Sequence, residues 1–500
     1  MTTILQANLK EAALPLAPKN LLVLMSDEHN PRMIGAAGHP MIQTPNLDRL
    51  AARGTRFSSA YTTSPICVPA RAGFATGRYP HEIGYWDNAD AYDGAVPSWH
   101  HRLREQGHRV DSIGKLHFRG LPGDDHGFSH EMLPMHVVEG IGDVKGLVRE
   151  NIPRRNGYDK LARLAGPGET PYARYDRDIA AQAQIWLHER AALPRENKPW
   201  ALFVSFVCPH FPLTAPPEFY YRYPHERIGL PKQYALSERP DHPYLRDYAD
   251  CMAYDLGFGG DLSQVRRAIA GYMGLVSFMD HQVGVVLRAL EDAGLAEDTR
   301  VVYTSDHGDN VGARGLWGKS TMYEESAGVP LILAGPDVPA GATCATPVSH
   351  VDLYPFFLEC NGVQDALYDG HGVSPLRLAA GEQLDRAVIS EYHAIGSTGG
   401  VTMLRQGHWK YVHCVRHRPQ LFDLQADPEE LVDLAGQPAY REQIDRLQAQ
   451  LRLICDPDEV DRRARERQGE LLQRHGGREA ALSRGDLNYT PAPGQLADIN

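Results

Sequence analysis

Four short apolar runs end alike, and this constrains the fold of the 500-residue chain more than any other feature. Residues 20–25 lead into Ser26-Asp27-Glu28, and residues 108–113 into Gly114-Lys115-Leu116-His117. Residues 200–207 lead into Cys208-Pro209-His210, and residues 300–303 into Thr304-Ser305-Asp306-His307. Runs of this length, rich in Val, Leu, Ile and aromatics, predict strands buried on both faces. Between them lie helical stretches at 46–53, 180–189 and 269–293. Strands alternating with helices predict an α/β layered sheet, in which ligands gather beyond the carboxyl ends of the strands. All four runs deliver carboxylates, imidazoles or an ammonium at that end, so one organised site is expected there.

The texture changes near residue 375. Segments 402–411 and 420–424 read as strands around Gly407 and Pro419, and a charged helical stretch follows at 440–472. The reading is a main domain over 1–375, a smaller α+β subdomain over 376–475 and a tail over 476–500. The tail shows no periodicity and is expected to lie along a partner subunit in a homodimer or homotetramer. A net charge of −12 argues against a nucleic-acid partner, which needs a clustered basic face. No run approaches the length of a membrane span, and MTTILQANLKEAALPLAPKN lacks the pattern of a secretory leader. Seven scattered cysteines without a CxxC pair predict reduced thiols and a cytoplasmic protein.

The sharpest chemical motif is Cys67-Val68-Pro69-Ala70-Arg71, continuing through Gly73 to Ala75-Thr76-Gly77-Arg78. Pro69 suits a first helical turn, which sets Cys67 beside unpaired N–H groups that favour an anion. Arg71 adds a guanidinium fork suited to a tetrahedral oxyanion. A small buried Cys with a surface Arg is the bland alternative. A phosphotyrosine-phosphatase loop is another, but it needs five residues between Cys and Arg, and here there are three.

This motif resembles the signature of the formylglycine-dependent sulfatases, within the alkaline phosphatase superfamily. The resemblance runs along nearly the whole chain. It includes Thr44-Pro45-Asn46-Leu47-Asp48, Ser305-Asp306-His307-Gly308-Asp309, Gly315-Leu316-Trp317-Gly318-Lys319, Gly407-His408-Trp409-Lys410-Tyr411 and Leu421-Phe422-Asp423-Leu424. Asp27-Glu28-His29-Asn30-Pro31 and Asp87-Asn88-Ala89 look closest to bacterial choline-sulfatase-like, arylsulfatase and phosphonate monoester hydrolase members. It implies an alkaline-phosphatase-like central mixed sheet flanked by helices, with a smaller α+β subdomain. It also implies that formylglycine-generating machinery converts Cys67 to an aldehyde, whose hydrate attacks the sulfur of a small-molecule sulfate ester.

On that resemblance, Asp27, Glu28, Cys67, Asp306 and His307 are the metal set. Hard carboxylate oxygens suit Ca²⁺, Mg²⁺ or Mn²⁺, and the imidazole leans toward Mn²⁺. Glu28 departs from the Asp or Gln often found at its place, and Asp309 is expected to support the loop. Lys115 and His117, two apart after a strand, would point the same way on an extended backbone. The resemblance makes Lys115 a ligand of substrate oxygens and His117 the group that helps release sulfate. It sets His210 and Lys319 at the leaving oxygen and Asn88 on the hydrate or a sulfate oxygen. A phosphonate monoester hydrolase or phosphodiesterase on the same site is the second reading: His307 favours it, Lys115 and His117 oppose it. A non-catalytic binding protein would lack Cys67, Arg71 or Asp306, and all are present. His101, His350, His393 and Tyr220-Tyr221 default to packing or surface, and Asp352 to a cap on helix 353–358.

Overall fold

The computed structural model describes residues 17–193 and 198–497; the stretch read for a leader lies largely outside them. Its central sheet has eight strands: β1 (Asn20–Asp27), β2 (Gly54–Phe57), β3 (Val110–Lys115), β4 (His130–Met135), β5 (Ala201–Pro209), β6 (Thr299–Ser305), β7 (Leu331–Ala334) and β8 (Ala342–Cys344). Their spatial order is β8-β2-β7-β6-β1-β5-β3-β4. Strands β4, β3, β5, β1 and β6 run parallel, whereas β7 is antiparallel to both its neighbours, so the sheet is mixed. The four apolar runs are β1, β3, β5 and β6, and they stand side by side.

Alternation along β1 explains its double burial. Leu22 and Leu24 join the core under helices α3 (Pro171–Ala192) and α4 (Leu262–Asp292), while Leu21, Val23 and Met25 face the opposite core. That second core holds Phe74 of helix α2 (Cys67–Thr76) together with Phe356 and Phe357. Helix α1 (Pro45–Ala52) is stitched to α4 by Asp280, which accepts the N–H groups of Asn46 and Leu47. The helical expectations at 46–53, 180–189 and 269–293 thus correspond to helices that begin at Pro45, Pro171 and Leu262.

The C-terminal sheet is antiparallel, in the order β9 (Ala387–Tyr392), β10 (Val401–Gln406), β11 (Trp409–Cys414) and β12 (Gln420–Asp423). The stretch expected as one strand over 402–411 is a hairpin, because Gly407 adopts φ +55° between β10 and β11. Strand β9 was not among the strands expected, although Val388, Ile389 and Tyr392 suit one. One face of this sheet packs on Tyr61, Tyr244 and Tyr248, and the other on Leu447, Leu451, Val460 and Ala464. Those last residues come from α5 (Arg441–Ile454) and α6 (Pro457–Arg474). The tail departs from its expected irregularity at helix α7 (Gly477–Ser483). Its later residues lie on their own chain, where Asp486 is buried and paired with Lys145 and Arg155. The premise for assigning the tail to a partner subunit is therefore corrected.

Packing holds for His101, buried in a capping box with Ser98, and for His350, which packs edge-on to Phe74; the assignment of Asp352 changes. Asp352 is the N-cap residue of helix Leu353–Cys360, but its carboxylate makes no cap bond to that helix. It turns back to the Ser349 N–H and pairs with Arg386. Tyr221 is exposed as expected, while Tyr220 is buried. Among the described residues no helix is long and apolar enough to cross a membrane.

Asp176 of α3 fixes the end of β5. It is fully buried and accepts the N–H groups of Val207 and Cys208 at 2.8 and 2.9 Å. Burial pushes its carboxyl up to about 7, and those two N–H groups oppose the rise. Asp176→Ala leaves both donors unpaired and should cost about 1.5–3 kcal/mol in urea unfolding. Asp176→Asn keeps one acceptor oxygen and should cost less than Ala but more than nothing; no loss in Asn would show that the carboxylate only fills space.

Candidate active site

The site begins with strand register. β1 and β6 are neighbours with Ser26 opposite Ser305, so the next residues, Asp27 and Asp306, emerge together. The chain beyond β1 is held there: the Glu28 N–H donates to Asp306 Oδ1 and the His29 N–H to Ser305 Oγ. Glu28 sits at φ +69°, a left-handed conformation that costs a non-glycine residue energy and is tolerated where surroundings enforce it.

Helix α2 supplies the third element. Cys67 is its first residue and Pro69 lies in its first turn, as the sequence predicts. Gly77 ends the helix at φ +67°, and a Cβ there would lie 2.4 Å from Tyr354 Cβ, so no other residue fits. Cys67 Sγ lies 3.2 Å from His307 Nε2 and 3.8 Å from Asp27 Oδ1. His307 Nε2 is 3.6 Å from Asp306 Oδ1 and 4.0 Å from Asp27 Oδ1. One ligand atom from each of Asp27, Cys67, Asp306 and His307 falls within 4.8 Å of the others. Two hard oxygens, an imidazole and the residue-67 side chain suit a single divalent ion, so the donor set fits the metal the resemblance implies.

Arg71 is placed differently from its expected role. Its Nε donates to Asp306 Oδ2 at 2.9 Å and its Nη2 to Asp27 Oδ2 at 3.1 Å. Its Nη1 serves the Lys115 carbonyl and Ser205 Oγ. With all three nitrogens engaged, the guanidinium braces the two carboxylates rather than facing an incoming oxyanion. Lys115 Nζ also meets Asp27, at 2.6 Å. Burial opposes charge on Asp27, yet Lys115, His210, Lys319 and Arg71 hold its carboxyl well below the usual range.

The remaining candidates flank this core. Lys319 Nζ is 3.0 Å from Cys67 Sγ and 3.4 Å from Glu28 Oε2. Burial opposes its charge, but Cys67 and Glu28 keep the ammonium protonated. Glu28 does not join the four-residue cluster; its carboxylate groups with Asp27 and His210, 3.4 Å from His210 Nε2. Burial pushes Glu28 up to about 8, against Lys319 and with Asp309 adding to the rise. His210 Nδ1 faces the Phe211 carbonyl, which leaves Nε2 toward Glu28. His117 reaches the site through a left-handed turn at φ +56°, not through the expected extended backbone. Its ring nitrogens are buried without hydrogen-bond partners, and burial, then Lys115 and Arg71, keep the imidazole neutral. Asn88 Oδ1 accepts the Val68 N–H, so donation to a ligand falls to its Nδ2. Asp309 accepts the Val311 and Gly318 N–H groups and thus supports its loop, as expected.

Glu28, Cys67, Asn88, His117, His210 and Lys319 open into one cavity of about 90 Å³. Its outer wall is built by Phe211, Tyr248, Tyr254 and Tyr489, with Arg155 bridging Asp143 and Asp486. Sequence reasoning missed these residues and Ser205. Tyr489 is the instructive case, since it packs edge-on against Tyr172 and Phe211 from a tail without periodicity.

Cys67 at a helix N-terminus, beside paired strand-end carboxylates and an imidazole, sets one polar site at the carboxyl edge of this mixed α/β sheet. The family profile "Sulfatase" matches residues 19–363, and "N-sulphoglucosamine sulphohydrolase, C-terminal" matches 312–456. The chain belongs to the sulfatase family, the sulfuric ester hydrolases. It is 33% identical over 429 residues to a choline-sulfatase of Rhizobium meliloti (strain 1021), covering 84% of this chain and 83% of that one. It is 28% identical to arylsulfatase K of Rattus norvegicus, covering 88% and 78%. The fold is similar to that of phosphonate monoester hydrolase of Agrobacterium radiobacter, at TM-score 0.71 and 22% identity over 87% of this chain and 95% of that one. A solved 2-O GAG sulfatase gives TM-score 0.69 at 23% identity, covering 90% and 94%.

Removing Arg71 would leave Asp27 and Asp306 buried and facing each other. Arg71→Ala is expected to destabilise the metal-free protein by about 3–5 kcal/mol in denaturant unfolding. Arg71→Lys keeps the charge without the planar fork and should recover only part of that loss. Full recovery by Lys would show that charge, not geometry, is what the pair requires.

Proposed function

We propose that the chain hydrolyses small-molecule sulfate monoesters with residue 67, converted from Cys to formylglycine, as its nucleophile. One observation carries this reading: Cys67 Sγ stands among Asp27, His307 and Lys319 at the floor of the cavity. In the unmodified chain that sulfur occupies the place of a hydroxyl oxygen of the aldehyde hydrate. The hydrate would supply two hydroxyls, one to attack sulfur and one whose proton is lost when sulfate departs. Asp27, Asp306 and His307, with residue 67, would hold one divalent ion, Ca²⁺ or Mn²⁺, with the imidazole favouring Mn²⁺. When bound, that ion supplies Lewis-acid chemistry, lowering the pKa of a hydroxyl and neutralising anionic charge.

The protein's own groups divide the remaining work. Lys115 Nζ and Asn88 Nδ2 bind sulfate oxygens. His117, kept neutral by burial and by Lys115, accepts the proton of the second hydroxyl as sulfate leaves. Lys319, kept charged beside Cys67 and Glu28, stabilises the negative charge that builds on the departing alcohol oxygen, with His210 alongside. Phe211, Tyr248, Tyr254 and Tyr489 give the alcohol an aromatic wall, and Arg155 is neutralised by Asp143 and Asp486. Such walls hold aryl groups or a quaternary ammonium, in keeping with relatives named choline-sulfatase and arylsulfatase.

Mass spectrometry of the peptide containing Cys67, from protein made in its native host, should find the aldehyde. Unmodified thiol alone would overturn the mechanism. Cys67→Ala should fold and bind metal while turnover falls by several orders of magnitude; retained turnover would transfer the nucleophilic role to water. A phosphonate monoester hydrolase activity is the second reading, favoured by His307 in the donor set and by the fold of the Agrobacterium enzyme. Sulfate and phosphonate monoesters both carry one negative charge, so activity on both is expected, with the aryl sulfate preferred. A preference for the phosphonate would reverse the two readings.

Lys319→Ala should slow esters of weakly acidic alcohols far more than those of acidic phenols, because charge on the leaving oxygen differs between them. Rates across aryl sulfates of graded phenol acidity measure this. A loss that stays flat along the series would show that Lys319 binds sulfate itself.

A further inference from the structure

A second cluster of metal-ligating side chains lies behind the catalytic wall, and none of its members belongs to the site described above. His126, in the loop between β3 and β4, meets Glu131 of β4 and His136 just after it. His126 Nδ1 is 2.8 Å from Glu131 Oε1, and His136 Nε2 is 3.3 Å from Glu131 Oε2. One ligand atom from each residue lies within 4.8 Å of the other two. The two imidazole centroids are 5.4 Å apart.

We propose that His126, Glu131 and His136 form a second metal site that binds Zn²⁺ and staples the 119–129 loop to strand β4. Two imidazoles and one carboxylate are a borderline donor set that suits zinc better than calcium. Bonds of about 2.0–2.1 Å at tetrahedral angles set two ligand atoms about 3.3 Å apart. The His136 Nε2–Glu131 Oε2 separation already has that value, while His126 Nδ1 faces the other oxygen of the same carboxylate. His126 is buried, whereas the Glu131 and His136 side chains are 23% and 21% exposed, which leaves an entry path and a fourth position for water. The neighbouring cation, Arg119, is already paired with Asp93 and Asp124 and does not repel an ion there.

The placement gives such an ion a role. A Cβ on Gly120 would lie 2.3 Å from the His136 ring, so the loop crosses directly over that side chain. One residue earlier, the Met135 carbonyl accepts the N–H groups of Leu116 and His117, and the Val137 N–H donates to the Phe118 carbonyl. The strand end that carries His136 therefore also holds the backbone of His117. An ion that ties His126 in the loop to this strand end stiffens the backbone on which His117 turns into the site.

The test is zinc stoichiometry, read without reference to activity. Protein stripped with chelator is titrated with Zn²⁺ against a chromophoric chelator, and bound metal is counted by plasma mass spectrometry. The wild type should hold one more equivalent than H126N/H136N, and Zn²⁺ should raise its Tm more than that of the double variant. Glu131→Gln, nearly isosteric and chosen in case the double variant does not fold, should weaken this equivalent at least tenfold. Asp306→Asn should lose the equivalent at the sulfate site and keep this one. The same stoichiometry and affinity in wild type and Glu131→Gln, or no zinc retained by Asp306→Asn, would overturn the proposal.

Discussion

A buried guanidinium between two buried carboxylates organises this protein. Asp27 and Asp306 leave neighbouring parallel strands at the same level, in a place where water does not reach them. Two bare carboxylates there would each carry a desolvation cost of several kcal/mol and would repel each other. Arg71 spans both with its Nε and Nη2, while its Nη1 ties the cluster to Lys115 and Ser205 on the next two strands. The planar fork of arginine makes this possible; an ammonium, as a point charge, could not reach all four partners in one plane.

From that brace follow the positions of the reacting groups. Arg71 lies one turn along α2 from Cys67, so anchoring the guanidinium under the strands fixes the helix N-terminus above them. Cys67 Sγ then falls among His307, Asp27 and Lys319. The spacing of three residues between Cys and Arg is thus a geometric demand: one helical turn separates Cys67 from the residue that anchors the helix. The neighbouring charges are also ranked by environment. Lys319 remains an ammonium because Cys67 and Glu28 surround it, while His117 remains neutral because it is buried and because Lys115 and Arg71 are near.

Much of the site's floor was legible in the sequence because Asp27, Lys115, Asp306 and His307 end or follow strands and Cys67 begins a helix. Lys319, in a loop, was legible only through the resemblance. An apolar run that stops at Asp, Lys, His or Asp-His announces both the strand and the chemistry beyond it, and Pro69 announces the helix on which Cys67 sits. The walls were not legible. Tyr248 and Tyr254 come from a helix and a short turn, Phe211 follows the β5 strand, and Tyr489 comes from the tail. No local pattern links them, because their proximity is created by packing between elements far apart in the chain. The left-handed turn at His117, the turn back of Asp352 and the hairpin at Gly407 were missed for a related reason. Each is a backbone choice made by tertiary hydrogen bonds or by pairing partners, not by propensity.

The sequence by itself determined the layered α/β architecture, the strand ends that carry the metal-type ligands, and the helix that presents Cys67. These are consequences of periodicity and of residues adjacent in the chain, and local physics enforces them. Only the tertiary structure decided what Arg71 does, where Glu28 goes, and which surface the tail covers. Arg71 could have faced an oxyanion, but two buried carboxylates on adjacent strands demand a counter-charge and lie within its reach. Glu28, displaced by a left-handed backbone, falls beside Lys319 and His210 instead of the four-residue cluster. The tail follows Asp486 into a buried pairing with Lys145 and Arg155, because two cations enclosed there draw in a second carboxylate beside Asp143.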